Sequence, residues 1–133
     1  LSDGKYIKAN RRPGGQVGRL KINIVDWDKD GVKDLLIGTG RSNSVPNPTK
    51  GLPYNMGKKN EGGAVLFLKN AGTERSPVFE YPKMLEFEGK PMLFGVYDCA
   101  PTTGPIGSAN ENNLVVGTEY GTYIYYRYED LEW

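Results

Sequence analysis

The stretch DWDKDGVKDLLIGTG, Asp26 to Gly40, sets four aspartates in nine positions and then passes straight into an apolar run. Numbered from Asp26, carboxylates fall at positions 1, 3, 5 and 9, with Gly31 at position 6 and Val32 at position 7. Alternate side chains of a tightly curled loop converge on one point, and glycine in its middle permits the sharp bend. Carboxylates crowded in this way repel one another and require a hard cation. Calcium suits the arrangement, because it accepts roughly six to eight oxygens in loose geometry where magnesium demands a near-ideal octahedron.

The residues on either side decide the kind of loop. Upstream, RLKINIVDW alternates, with Leu20, Ile22 and Ile24 on one side and Lys21, Asn23 and Val25 on the other, which is the period of a strand. Downstream, DLLIGT (Asp34 to Thr39) is continuously apolar and ends at glycine, as expected of a strand covered on both faces. A helix-loop-helix calcium hand needs Glu at position 12 and a dockerin-like loop needs Asp there; this chain has Ile37. The aspartate turn is therefore expected to join two strands.

Working outward, the 133 residues suffice for one domain, and the 18 Gly, 9 Pro and 9 Tyr among short, Gly-bounded apolar runs favour an all-β chain. The net charge of +1 argues against a nucleic-acid surface, and no apolar stretch approaches the length of a membrane helix. There is no His, which removes the commonest general base and zinc ligand. The single cysteine, Cys99, is expected to act as a small buried hydrophobe. A chain beginning at Leu1 is expected of a processed protein or a fragment.

Residues 1–18 read as a loop or partial strand, since RRPGGQVG is punctuated by Pro and paired Gly. Residues 41–61 hold three Pro, four Asn and two Gly without periodicity, as an insertion loop would. DLLIGTG with EGGAVLFLKN, and NLVVGTEYGTYIYYRYED, each read as apolar strand, Gly-Thr, turn and second strand. Leu35 and Leu114 are 79 positions apart, and discounting the insertion leaves a repeat of roughly 60 residues. A first repeat over 19–90 and a degenerate second over 91–133 follow. In the second, VYDCAPTTG is expected at the place of the aspartate turn, with Asp98 as its lone carboxylate and no calcium.

DWDKDGVKDLLIGTG resembles the Asp-x-Asp-x-Asp-Gly-x-x-Asp-Leu signature of FG-GAP/VCBS repeats, the calcium-binding blades of β-propellers such as the integrin α head. NAGTERSPVFEYP (Asn70 to Pro82) is similar to the loop these repeats place after an outer strand. The resemblance implies about two antiparallel propeller-type blades, part of a larger propeller or of an oligomer. It implies calcium held by side-chain oxygens of Asp26, Asp28, Asp30 and Asp34 and the backbone carbonyl of Val32. It also implies an extracellular or cell-surface binding or scaffold module whose partners are further blades or copies of itself. Two blades cannot close a ring, so their open faces would expose apolar surface.

Tyr54, Lys58 and Lys59 in the insertion are the candidate contacts for a glycan or protein ligand, because long loops without secondary structure are often functional. The Tyr-rich strand TYIYYRYED is expected to pack between sheets rather than stack sugars. No residue stands out as catalytic, and Arg11 and Arg12 lack the setting of a phosphate loop. An enzyme remains the alternative, because FG-GAP-like propellers resemble the scaffolds of some polysaccharide lyases.

Overall fold

The computed structural model describes residues 1–4, 20–40, 42–43, 60–94 and 98–133. Among these, every regular element except one 3-10 turn, Tyr128–Asp130, is a strand, and every strand pairing is antiparallel. The all-β expectation holds.

Strand β1 (Lys21–Val25) runs into the aspartate turn and returns as β2 (Asp34–Gly38), with Ile24 opposite Leu35 and Ile22 opposite Ile37. Beyond it, β3 (Ser42–Asn43) and β4 (Asn60–Glu61) pair with each other and join the two ends of the insertion. Strand β5 (Gly63–Leu68) then lies against β2, Leu35 opposite Leu68 and Ile37 opposite Leu66. All six of its residues are buried, as a strand covered on both faces requires.

The far edge of β5 is shared by β6 (Lys83–Met84) and β9 (Leu93–Phe94). Between these, β7 (Glu86–Phe87) and β8 (Lys90–Pro91) form a hairpin that turns at Glu88 and Gly89, both at positive φ. The sequence places residues 91–94 in the second repeat, but their hydrogen bonds go to the first sheet and its hairpin.

The second sheet is β10 (Cys99–Thr103), β11 (Leu114–Thr118) and β12 (Tyr123–Tyr126). This corrects the expected position of the second turn: all of CAPTT is strand, Asp98 forms a bridge to Gly40, and the loop matching the aspartate turn is Gly104 to Asn113. Pairing registers then correspond between the sheets. Leu35 lies between Ile24 and Leu68, and Leu114 lies between Thr103 and Tyr126. The chain ends with β13 (Leu131–Glu132), which pairs back onto β7.

Because side chains alternate across a strand, the first sheet has two distinct faces. One carries Leu36, Val65 and Phe67 and packs with Trp27, Cys99, Leu114 and Val116 in the main core. Strand β10 crosses this face closely: a Cβ at Gly38 would lie 2.2 Å from the Cys99 carbonyl oxygen and 2.5 Å from Pro101 Cδ, so only glycine fits. Asn23 adds a hydrogen bond from its amide to Thr103 Oγ1 at 3.0 Å. The other face carries Ile37, Ala64, Leu66, Leu68 and Met84, with Leu1 and Phe79 packed against them.

Cys99 is buried and free, and burial pushes its thiol up to about 11, in keeping with its expected role as a core side chain. The tyrosines of β12 divide. Tyr126 packs edge-on against Phe87 and Phe94, whereas Tyr123 and Tyr125 are exposed.

Candidate metal centre

The aspartate turn is shaped by its own side chains before any ligand is considered. Asp26 Oδ2 accepts the Gly31 N–H at 2.9 Å, Asp28 Oδ1 accepts that of Asp30 at 3.3 Å, and Asp30 Oδ1 accepts that of Val32 at 2.9 Å. Short acidic side chains hold the backbone in successive tight turns in this way. Lys29 and Gly31 both take positive φ, 61° and 92°, so the expected need for glycine at position 6 is met in the geometry.

Asp34 closes the loop. It is fully buried, and its two oxygens accept the backbone N–H groups of Trp27 at 2.9 Å and Asn70 at 2.8 Å. One carboxylate thereby ties the turn, the start of β2 and the end of β5 together. Burial raises its pKa, partly offset by those two hydrogen bonds, so the ionised form is held at a cost that a nearby cation would relieve.

The turn is also clamped from the second sheet. Asn112 donates to the carbonyls of Asp26 at 2.7 Å and Trp27 at 3.0 Å, and the Tyr128 hydroxyl donates to the Trp27 carbonyl at 2.7 Å. The Trp27 ring is completely buried, edge-on to Tyr128 and Trp133. Asn70 does similar work on the other side, where its side-chain oxygen accepts from Gly72 and Val78 and its amide donates to the Lys33 carbonyl.

Of the five expected ligands, three come together: oxygens of Asp26, Asp28 and Asp34 lie within 4.8 Å of one another. Oxygens bound to calcium at about 2.3–2.6 Å span at most about 4.6–5.2 Å across the ion, so the separation fits one shell. Asp26 Oδ1 is buried without a hydrogen-bond partner, which is the state of an acceptor suited to a cation. Asp30 is turned instead to Lys69, whose ammonium bridges Asp28 and Asp30. Those bonds hold Lys69 well above its usual pKa and Asp30 below its own. Val32 contributes its N–H to the turn. Tyr54, Lys58 and Lys59 lie outside the described residues.

The matching loop of the second sheet has an asparagine where the first has Asp34. Asn113 is likewise fully buried, and its side-chain oxygen accepts the Tyr128 N–H, two residues past β12, as Asp34 accepts that of Asn70, two residues past β5. Its amide donates to the Ile106 carbonyl and to Ser108 Oγ, where Asp34 accepts from Trp27. The same closure is made without charge.

Sequence reasoning assigned no role at the aspartate turn or its counterpart to Lys69, Asn70, Asn112, Asn113 or Tyr128. The alignment of DLLIGTG with NLVVGTE carried the signal for Asn113, since it sets Asn113 at the place of Asp34. Comparison with family models, with curated proteins and with solved structures found no match to this chain.

Proposed function

We propose that this chain is a calcium-stabilised extracellular binding or scaffold module, built of about two FG-GAP/VCBS-like propeller blades. The observations that carry the reading are the convergence of carboxylate oxygens of Asp26, Asp28 and Asp34 and the buried, unpartnered Oδ1 of Asp26. Asp26, Asp28 and Asp34 would hold the ion, which would supply positive charge and no redox chemistry. The chain's own residues do the rest: Asp34 ties the loop to β5, Trp27 anchors it in the core, and Asn112 fixes its backbone. Sites of about 10⁻⁴–10⁻³ M affinity are typical of extracellular modules, where calcium is abundant.

Thermal melting with calcium and after chelation tests this reading. At 100-fold excess over the dissociation constant, binding to the folded state alone adds about 2.7 kcal/mol, or roughly 8–10 °C for a chain of this size. Magnesium should shift the midpoint far less. An unmoved midpoint on chelation would remove the metal assignment.

Lys69 serves as the counter-ion of the metal-free turn, because its ammonium neutralises the carboxylates that calcium would otherwise neutralise. Lys69→Met is therefore expected to destabilise the calcium-free chain modestly, by about 0.5–1 kcal/mol as for partly exposed ion pairs. The same change should tighten calcium binding several-fold by removing a competing cation, as read by calorimetric titration. Unchanged affinity would show that the ammonium and the ion do not compete.

One observation favours the polysaccharide-acting enzyme as a second reading. An open groove of about 760 Å³ runs between the two loops, lined by Asp26, Lys29, Lys33, Asn110, Glu111 and Asn112. Turnover of acidic polysaccharide that disappears on mutating Lys29 and Lys33, with calcium-dependent stability intact, would favour that reading over the scaffold.

A further inference from the structure

Each sheet exposes large apolar or aromatic side chains on one side, and the two exposed sets differ in chemistry. The first does so along its β1 edge only, since Ile37, Leu66 and Leu68 on that same side are buried, with Leu1 and Phe79 packed against them. On the first sheet, Leu20, Ile22 and Ile24 are 37%, 59% and 67% exposed. Alternation sets them on the same side as Leu35 and Ile37. On the second, Tyr123 and Tyr125 are 80% and 41% exposed, and share their side with Thr102, Val115 and Gly117.

The contact inside the chain relates these faces. Matching Leu35 to Leu114 makes Ile24 the counterpart of Thr103 and Ile22 the counterpart of Pro101. Thr103, Pro101, Leu114 and Val116 are on the side of the second sheet that packs against the first. The exposed Ile22–Ile24 edge is thus the first sheet's version of residues that the second sheet buries. Conversely, Tyr125 matches Phe67, Tyr123 matches Val65 and Gly117 matches Gly38, all three of which are on the covered side of the first sheet.

Gly117 is the independent sign. At Gly38 the lack of a side chain is required, because backbone of the crossing strand lies where a Cβ would be. At Gly117 nothing among the described residues comes so near: an added Cβ would meet the Tyr123 ring at 3.6 Å and the Ala100 oxygen at 3.9 Å. Glycine inside a strand weakens it and is characteristic of close approach by another backbone. The close-approach residue recurs on a face where this chain supplies no approaching strand among its described residues.

We propose that the two faces are the halves of one head-to-tail contact between copies of this chain, in which Ile22 and Ile24 of one copy cover Tyr123, Tyr125 and Gly117 of the next. Both halves are present on each chain, so a second copy completes the contact without another component. The contact is heterologous, and repetition gives a closed ring or a filament according to the angle of each step. It rests on the two-repeat part of the proposed function and not on the calcium ion.

Sedimentation velocity in calcium, from low to high micromolar concentration, tests it with three proteins. The unaltered chain should form species larger than a dimer. Ile22→Lys/Ile24→Lys should remain monomeric, and so should Tyr123→Lys/Tyr125→Lys, since each has lost one half. An equimolar mixture of the two variants should restore association but stop at a dimer, because each retains the half that the other lacks. Far-UV circular dichroism checks folding, and Ile22→Thr/Ile24→Thr provides a milder first-face variant. A monomeric unaltered chain, association by either folded lysine variant at the level of the unaltered chain, or a mixture that stays monomeric would overturn the proposal. Melting with and without calcium on the same samples separates the two readings: loss of the calcium response with association intact defeats only the metal assignment.

Discussion

Asp34→Ala should destabilise the metal-free chain by about 2–4 kcal/mol, because it orphans two buried backbone N–H groups at about 1–3 kcal/mol each and recovers part of the cost of burying a charge. The groups are those of Trp27 and Asn70, on opposite sides of the carboxylate. Asp34→Asn makes the sharper comparison. Its amide nitrogen would face one of these N–H donors, donor against donor, with an expected loss of about 1–2 kcal/mol. Asn113 escapes that conflict because the group facing its amide is the Ile106 carbonyl. Urea denaturation in chelator measures both changes. Equal stability of Asp34→Asn and the unaltered chain would mean that the carboxylate does not hold the turn closed.

Trp27→Ala is expected to be the most damaging single change in the loop, at about 3–5 kcal/mol for deleting a buried Trp. The ring is completely buried, with its centroid 5.0 Å from that of Tyr128 and 5.4 Å from that of Trp133. Its loss would leave a cavity at the junction of the two sheets and free the turn that the ring anchors, so calcium affinity should fall as well. Trp27→Phe retains an aromatic anchor and should cost much less. Far-UV circular dichroism in urea follows these variants without relying on the altered fluorophore. A loss under about 1 kcal/mol for Trp27→Ala would place the anchoring elsewhere.

The elements that could be read from the sequence were those whose signal is local. β1 alternates and β2 is a Gly-bounded apolar run, so both the strands and the turn between them followed from period and punctuation. KMLEFEG alternates across β6 and β7, but the strands β6 to β9 are two residues each. No local pattern shows that β6 and β9 share the edge of β5 or that β7 pairs with β13 as well as with β8. The second turn was placed too early, at VYDCAPTTG; the residue that closes the actual loop, Asn113, has no charge to reveal it.

The candidate site divides along the same line. Asp26, Asp28 and Asp34 were legible from spacing, and Gly31 from the bend it permits. Lys69 and Asn112 reach the loop from 41 and 86 positions away, and only the folded chain brings them there. Alternation in β12 was visible, yet which face is covered depends on the sheet packed against it. Tyr126 meets the core while Tyr123 does not.

The central claim is that a divalent ion completes the aspartate turn, and calorimetric titration of calcium into the metal-free chain tests it most directly. The expected result is one ion per chain, with an affinity of about 10⁻⁴–10⁻³ M. Binding should be lost in Asp26→Asn/Asp28→Asn, which leaves the structural hydrogen bonds of Asp34 in place. Absence of saturable binding at calcium concentrations well above that range, or binding that survives in the double variant, would contradict the account.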